Sequence, residues 1–192
     1  MKTIDFHAAL QRLQTAKDVL ILTHANPDGD TLGSGYALFW GLQQLGKRVK
    51  LLNNDPLPEK YRFLSRGLEN GSFKEQYIIS VDVADKTLLG AALEESFGDR
   101  VDLSLDHHGA NRLFAKETYV ESDSASAGEI VYLLLLSLGV PFNKEMADCL
   151  YTAISTDTGC FRYSNVTART HRIAADLMDR GADHTWIDVQ MF

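Results

Sequence analysis

The chain has 192 residues, 45% of them hydrophobic and 23% charged, with a formal net charge of −7 at pH 7. That length suits one domain with a sizeable core and is short for two, and the ordinary glycine and proline contents argue against a disordered or fibrous chain. The acidic balance argues against a broad basic surface for long duplex nucleic acid. The longest apolar run, Ile130 to Leu136, is too short to span a bilayer, and Met1 to His7 lacks the apolar stretch of a signal peptide, so a cytoplasmic protein without a membrane partner is expected.

Residues 3 to 16 place Ile4, Leu10 and Leu13 at helical spacing, with Thr3 as the expected cap. Val19 to Thr23 reads as a buried strand. Thr31 to Leu45 carries Leu32, Tyr36, Phe39, Trp40 and Leu42 at helical spacing and stops at Gly46, a glycine C-cap. Val49 to Leu52 is a second strand. A Pro-containing loop from Asn53 to Lys60 leads to a short helical piece at Tyr61 to Ser65, and Tyr77 to Val81 is a third strand. A helix capped by Asp85 is expected to run to Ser96. Val101 to Leu105 and Thr118 to Val120 are strands four and five. Helices follow at Ser126 to Leu138, Asn143 to Ser155 and Thr167 to Arg180, broken by Gly139-Val140-Pro141 and by a turn at Gly159. The alternation predicts right-handed βαβ crossovers. The fold class is therefore α/β: a Rossmann-like three-layer domain with a central parallel sheet of about five strands in the order 2-1-3-4-5, flanked by helices, its C-terminal third mostly helical.

Acids and imidazoles follow three of these strands. His24, Asp28 and Asp30 follow the first, Asp82 the third, and Asp106, His107 and His108 the fourth. Side chains just beyond the carboxyl ends of parallel strands converge on one crevice. A pocket of aspartates and histidines suits a hard divalent ion such as Mn²⁺ better than a thiolate-rich zinc site would. Gly29 permits a tight backbone between Asp28 and Asp30, so the two can address different ions. Asp82, alone at its strand end, is the natural bridge, and ions about 3.5–4 Å apart can clamp a phosphoryl oxygen and raise a nucleophile from water. The last acid is expected from the helical half, where Asp157 lies beside turn residues. The helix starts at Asp30-Thr31 and at Ser124-Ala125-Ser126 would turn free N–H groups toward phosphate.

Other groups read as structural. His7, His171 and His184 have no ligand-spaced acidic partner; Cys149 and Cys160 lack zinc spacing and read as buried free thiols. Tyr36, Phe39, Trp40 and Trp186 belong to the core or an interface.

Four segments in order, His24-Ala25-Asn26-Pro27-Asp28-Gly29-Asp30, Ser80-Val81-Asp82, Asp106-His107-His108-Gly109 and Ser155-Thr156-Asp157-Thr158-Gly159, make the chain resemble the catalytic domain of the DHH phosphoesterases along essentially its whole length. The resemblance implies one Mn²⁺ held by His24, Asp28 and Asp82 and a second by Asp30, Asp82, His107 and Asp157, with Mg²⁺ or Co²⁺ as substitutes. It implies that His108 faces the scissile phosphate and that Asp106 accepts a hydrogen bond from an imidazole and fixes its tautomer. Gly159 to Asn165, followed by Thr167 to Gly181, is similar to the branch of nanoRNases and pAp phosphatases. The implied partners are thus short oligoribonucleotides or small nucleotides such as pAp, with Arg162 and Ser126 contacting substrate; a homodimer is compatible with this reading. Cyclic-di-AMP or pApA phosphodiesterase and inorganic pyrophosphatase activity are the alternatives within the family, and a regulatory nucleotide-binding module is the alternative outside enzymes. Members of this branch resemble a two-lobed clamp, and no second, smaller substrate-binding domain is expected within residues 1–192. Trp186 to Phe192 resembles the approach to an interdomain linker.

Overall fold

The structure is a computed structural model describing residues 1–192. Its strands are β1 (Lys2–Thr3), β2 (Val19–Leu22), β3 (Val49–Leu52), β4 (Tyr77–Val81), β5 (Leu103–Asp106) and β6 (Glu117–Val120). The helices are α1 (Phe6–Thr15), α2 (Gly29–Gln44), α3 (Ala91–Phe97), α4 (Ala127–Ser137), α5 (Lys144–Asp157), α6 (Ala168–Asp179) and α7 (His184–Met191). All strand pairs are parallel, in the order β3-β2-β4-β5-β6-β1. The five expected strands therefore sit in their expected order, and a sixth is added at one edge. β1 escapes the sequence because two exposed residues carry no hydrophobic period; backbone bonds to the β6 side, Lys2 N–H to Lys116 O and Ile4 N–H to Thr118 O, create it. Taking Lys2 and Thr3 into the sheet moves the cap of α1 from Thr3 to Asp5, whose carboxylate accepts from Ala8 N–H at 2.7 Å.

Residues on alternate sides of the strands go to different layers. Val19, Ile21, Ile79, Val81, Leu103 and Leu105 join a cluster of 37 buried residues beneath α1, α2, α4 and α5, whereas Leu20, Leu22 and Ile78 join one of only 8 on the other face. The thin layer has a local cause. In place of one helix from Asp85 to Ser96 there is a 3-10 turn, Lys86–Leu89, and then the short α3. Gly90 separates them at φ +84°, a left-handed conformation that ends the first segment.

Register sets the crevice. Leu22 pairs with both Leu52 and Ser80, and Val81 with Leu105, so the chain leaves β2, β4 and β5 at neighbouring points of one sheet edge. Opposite them, α2 meets α5 at very short range: a Cβ on Gly33 would lie 2.3 Å from the Cys149 carbonyl oxygen, and one on Gly29 would lie 2.3 Å from Thr156 Oγ1. Gly29 is thus required by this approach, and not by the tight turn expected between Asp28 and Asp30; its φ is not positive. The contact carries Asp157, the last residue of α5, to the start of α2.

Trp186 to Met191 lie in the helix α7. Asp183 caps α7, Ile187 is fully buried, and Asp188 accepts from Ser155 Oγ at 2.7 Å and Tyr151 Oη at 3.1 Å, which docks α7 on α5. No helix is long and apolar enough to cross a membrane.

Candidate metal centre

Past β2 the chain runs through His24 to Asp28, which caps α2 by accepting the N–H groups of Asp30 and Thr31 on Oδ1 at 3.0 and 3.1 Å. His24 Nδ1 lies 2.8 Å from the Ala25 carbonyl; a carbonyl only accepts, so Nδ1 carries the proton and Nε2 keeps its lone pair. That Nε2 is 3.6 Å from Asp28 Oδ1 and 3.8 Å from Asp82 Oδ2.

Asp82, immediately after β4, has φ +59°. A non-glycine residue in this region is strained, Asp less than most, and the turn is pinned by Asp82 N–H donating to Leu105 O at 2.9 Å. Its Oδ1 lies 3.6 Å from His107 Nε2 and 3.4 Å from His108 Nδ1. One carboxylate therefore faces His24 with one oxygen and the histidine pair with the other.

His107 repeats the device of His24. Its Nδ1 donates to the Ser124 carbonyl at 3.2 Å, leaving Nε2 directed at Asp157 Oδ2 (3.5 Å), Asp82 Oδ1 (3.6 Å) and Asp30 Oδ2 (3.7 Å). Asp106 lies behind. Its Oδ1 accepts from the N–H groups of His107 and His108 and from His108 Nδ1 at 2.8 Å, and its Oδ2 accepts from Asn111 at 2.6 Å. His108 is consequently held by Nδ1, with its side chain half exposed.

Asp30 is fully buried and behaves unlike Asp28. It accepts from Ser34 Oγ and from the N–H groups of Ala127 and Gly128, so it caps α4 from 97 residues away in sequence. This corrects the expectation of free N–H groups at both helix starts: Asp28 holds those of Asp30 and Thr31, and Asp30 and Ser126 hold those of residues 127–129. Protein carboxylates thus take the place expected for phosphate. Ser126, expected on substrate, is fully buried with its Oγ accepting from Glu129 N–H. Arg162 is exposed; its Nε donates to Gly159 O at 2.6 Å and its guanidinium lies over the Phe192 ring.

The crevice is electrostatically loaded. Burial, then the neighbouring carboxylates, push the Asp30 and Asp82 carboxyls well above the usual range. Asp157 is raised by burial despite the two imidazoles. In His108 the hydrogen bond to Asp106 outweighs burial and raises the imidazole. Such mutual destabilisation is what a bound cation relieves.

The residues fit divalent cations. Three groups of ligand atoms, His24/Asp28/Asp82, Asp30/His107/Asp157 and Asp82/His107/His108, each lie within 4.8 Å of one another. Metal–ligand bonds of about 2.0–2.2 Å put adjacent ligand atoms ~3–3.6 Å apart, close to the observed 3.5–3.8 Å. His107 Nε2 and Asp82 Oδ1 are buried polar atoms without a hydrogen-bond partner, a costly state unless something else binds them. Nitrogen and carboxylate donors without thiolate select hard or borderline ions.

Sequence reasoning did not reach Asn111, Asn165 or Arg169. Asn165 Nδ2 donates to Ala125 O and Asp157 O, and Arg169 grips Glu121, Ser124 and Glu129. Their partners are tens of residues distant, save Asp106, five residues before Asn111, and Asp157, eight residues before Asn165. The remaining histidines pack locally: His7 with Gln11, His171 on Phe161, His184 against Tyr151. Cys149 is buried, but Cys160 is only partly so.

Residues 18–154 match the family described as "DHH family, N-terminal domain". The bifunctional oligoribonuclease and PAP phosphatase NrnA of Thermus thermophilus is 33% identical over 168 residues, covering 85% of this chain and 50% of that protein. Among solved structures, an exopolyphosphatase-related protein from Bacteroides fragilis superposes with a TM-score of 0.86 at 21% identity, over 97% of this chain and 59% of that one. The exonuclease RecJ bound to manganese gives 0.60 at 17% identity, over 91% and 47%. The chain spans between half and three-fifths of the length of the NrnA proteins it matches.

Proposed function

The chain belongs to the DHH family, and from that premise we propose that it carries the metal centre of a phosphoesterase hydrolysing phosphodiester or phosphomonoester bonds of short oligoribonucleotides and small nucleotides such as pAp. The observation that carries this reading is the meeting of His24, Asp28, Asp30, Asp82, His107 and Asp157 around two unpartnered buried atoms, His107 Nε2 and Asp82 Oδ1. The identity of the NrnA relative supports the substrate class. Two Mn²⁺ ions are the proposed cofactors, with Mg²⁺ or Co²⁺ able to substitute. Divalent ions, when bound, supply Lewis acidity at the phosphoryl group and make water nucleophilic near neutral pH.

The chain's own groups divide the remaining work. His24 and Asp28 would hold one ion, and Asp30, His107 and Asp157 the other, with Asp82 shared. Asp106 keeps the Nδ1 proton of His108 engaged, so Nε2 is the atom that meets substrate, where it would hydrogen-bond a phosphoryl oxygen or pass a proton to the leaving oxygen. Because a bound metal would lower the pKa of water, the site would need no separate strong base. Arg162 would reach substrate only after leaving Phe192. Cytoplasmic residence is the accompanying proposal, supported by two free thiols.

Bis-p-nitrophenyl phosphate with Mn²⁺ tests the reading, since a small diester needs no remote grip for positioning. Release of nitrophenolate is expected, with Asp82→Ala lowering it at least ~100-fold and His108→Ala lowering kcat by about 10²-fold or more with Mn²⁺ uptake retained. No release above background, unaffected by Asp82→Ala, would favour a regulatory nucleotide-binding module. Mononucleotides from a dinucleotide without orthophosphate from pyrophosphate would separate the nuclease reading from a pyrophosphatase.

A further inference from the structure

Arg169 stands in the first turn of α6, outside every group of ligand atoms, yet its guanidinium is fully engaged. Nε donates to Glu129 at 3.0 Å, one terminal nitrogen to Glu121 at 2.7 Å, and the other to Ser124 Oγ at 2.9 Å and Asp123 O at 3.4 Å. Glu129 lies on α4 and is fully buried, its carboxylate hydrogen-bonded to Arg169 alone and its other oxygen unpartnered. Glu121 is anchored at its far oxygen by Tyr119 Oη at 2.8 Å. The planar fork therefore clamps the segment 121–124 between β6 and α4, a task for which a lysine ammonium has the charge but not the geometry.

That segment has one contact that matters for the crevice: the carbonyl of Ser124 receives the Nδ1 proton of His107. With that acceptor in place, His107 presents an Nε2 lone pair to Asp30, Asp82 and Asp157. Without it, the ring gains nothing from keeping the proton on Nδ1, and an Nε2–H would instead donate to those carboxylates and compete with a cation.

We propose that Arg169 is a positioning residue that fixes the metal-accepting tautomer of His107 by clamping the Ser124 carbonyl. The inference rests on the proposed metal centre. The clamp also joins α6, which follows the ligand Asp157 in the chain, to the segment that steers the ligand His107.

The test uses two variants of the whole chain. Arg169→Lys keeps a cation beside buried Glu129, and Arg169→Met/Glu129→Gln removes both charges so that neither is left buried alone. ¹⁵N spectra of the metal-free protein read the His107 ring directly, and calorimetric Mn²⁺ titration reads the affinity. The wild type is expected to hold the proton on Nδ1. Both variants are expected to show a mixture of tautomers and to bind one of two Mn²⁺ ions about 10–100-fold more weakly, with the other unchanged; Arg172→Met, exposed on the same helix, should match the wild type. Folded variants with wild-type tautomer and affinity would overturn the proposal, as would loss of the fold in both, which would assign Arg169 to stability alone. Absence of Mn²⁺ uptake by the wild type would instead sink the metal reading, while the ring spectra would still decide the role of Arg169.

Discussion

Asp30 accepts three hydrogen bonds from Ser34, Ala127 and Gly128, whereas Asp82 Oδ1, facing the same crevice, accepts none. The two acids should therefore respond oppositely to mutation in the metal-free protein. Asp30→Ala removes the cap of α4 and is expected to cost about 1–2 kcal/mol, read by urea denaturation in EDTA. Asp82→Asn removes a charge that the site repels and keeps a residue type that tolerates positive φ, so it should leave stability equal or higher while destroying cation uptake. Lower stability of Asp82→Asn in EDTA at neutral pH would contradict this. The sign with pH follows. A carboxyl raised in the folded state contributes stability below its ordinary value and loses it as pH rises through the raised folded value. In EDTA the wild type should match Asp82→Asn near pH 4 and melt below it at pH 7. Mn²⁺ at a hundred times its Kd should add about 2.7 kcal/mol to the wild type alone, raising its Tm by about 5–10 °C.

At the scale of elements, the close meeting of α2 and α5 brings acids from both halves of the chain together. Gly33→Ala would drive a methyl group against the Cys149 carbonyl, and overpacking of that kind costs about 1–3 kcal/mol; a shift in the urea midpoint with unchanged slope would show it, and a neutral variant would mean the helices can part without penalty. Much of this architecture was legible because apolar runs bounded by turn residues mark buried strands: Val49–Leu52 and Tyr77–Val81 have the expected bounds. What was not legible depends on partners far away. β1 exists through bonds to the β6 side, α3 is short because Gly90 intervenes, and the cap of α4 comes from Asp30. The proposed ligand residues stood out because they lie within a few residues of a strand end, as His24 to Asp30, Asp82 and His107 do, or end a helix beside a turn, as Asp157 does. Arg169 did not, since its partner Glu121 is 48 residues away and nothing local distinguishes it from a helix-surface arginine.

For the whole molecule, an all-parallel sheet with level strand ends gathers the carboxyl-end side chains of β2, β4 and β5, and α2 and α5 close over them with Asp30 and Asp157. The net charge of −7 is concentrated in part here, where cations would offset it. The most direct measurement is a crystal structure with Mn²⁺, recorded at the manganese absorption edge. Two anomalous peaks flanking Asp82, one beside His24 and Asp28 and the other beside Asp30, His107 and Asp157, are the predicted result. No peak in the crevice at saturating Mn²⁺, or a single peak that leaves Asp82 without a ligand role, would contradict it.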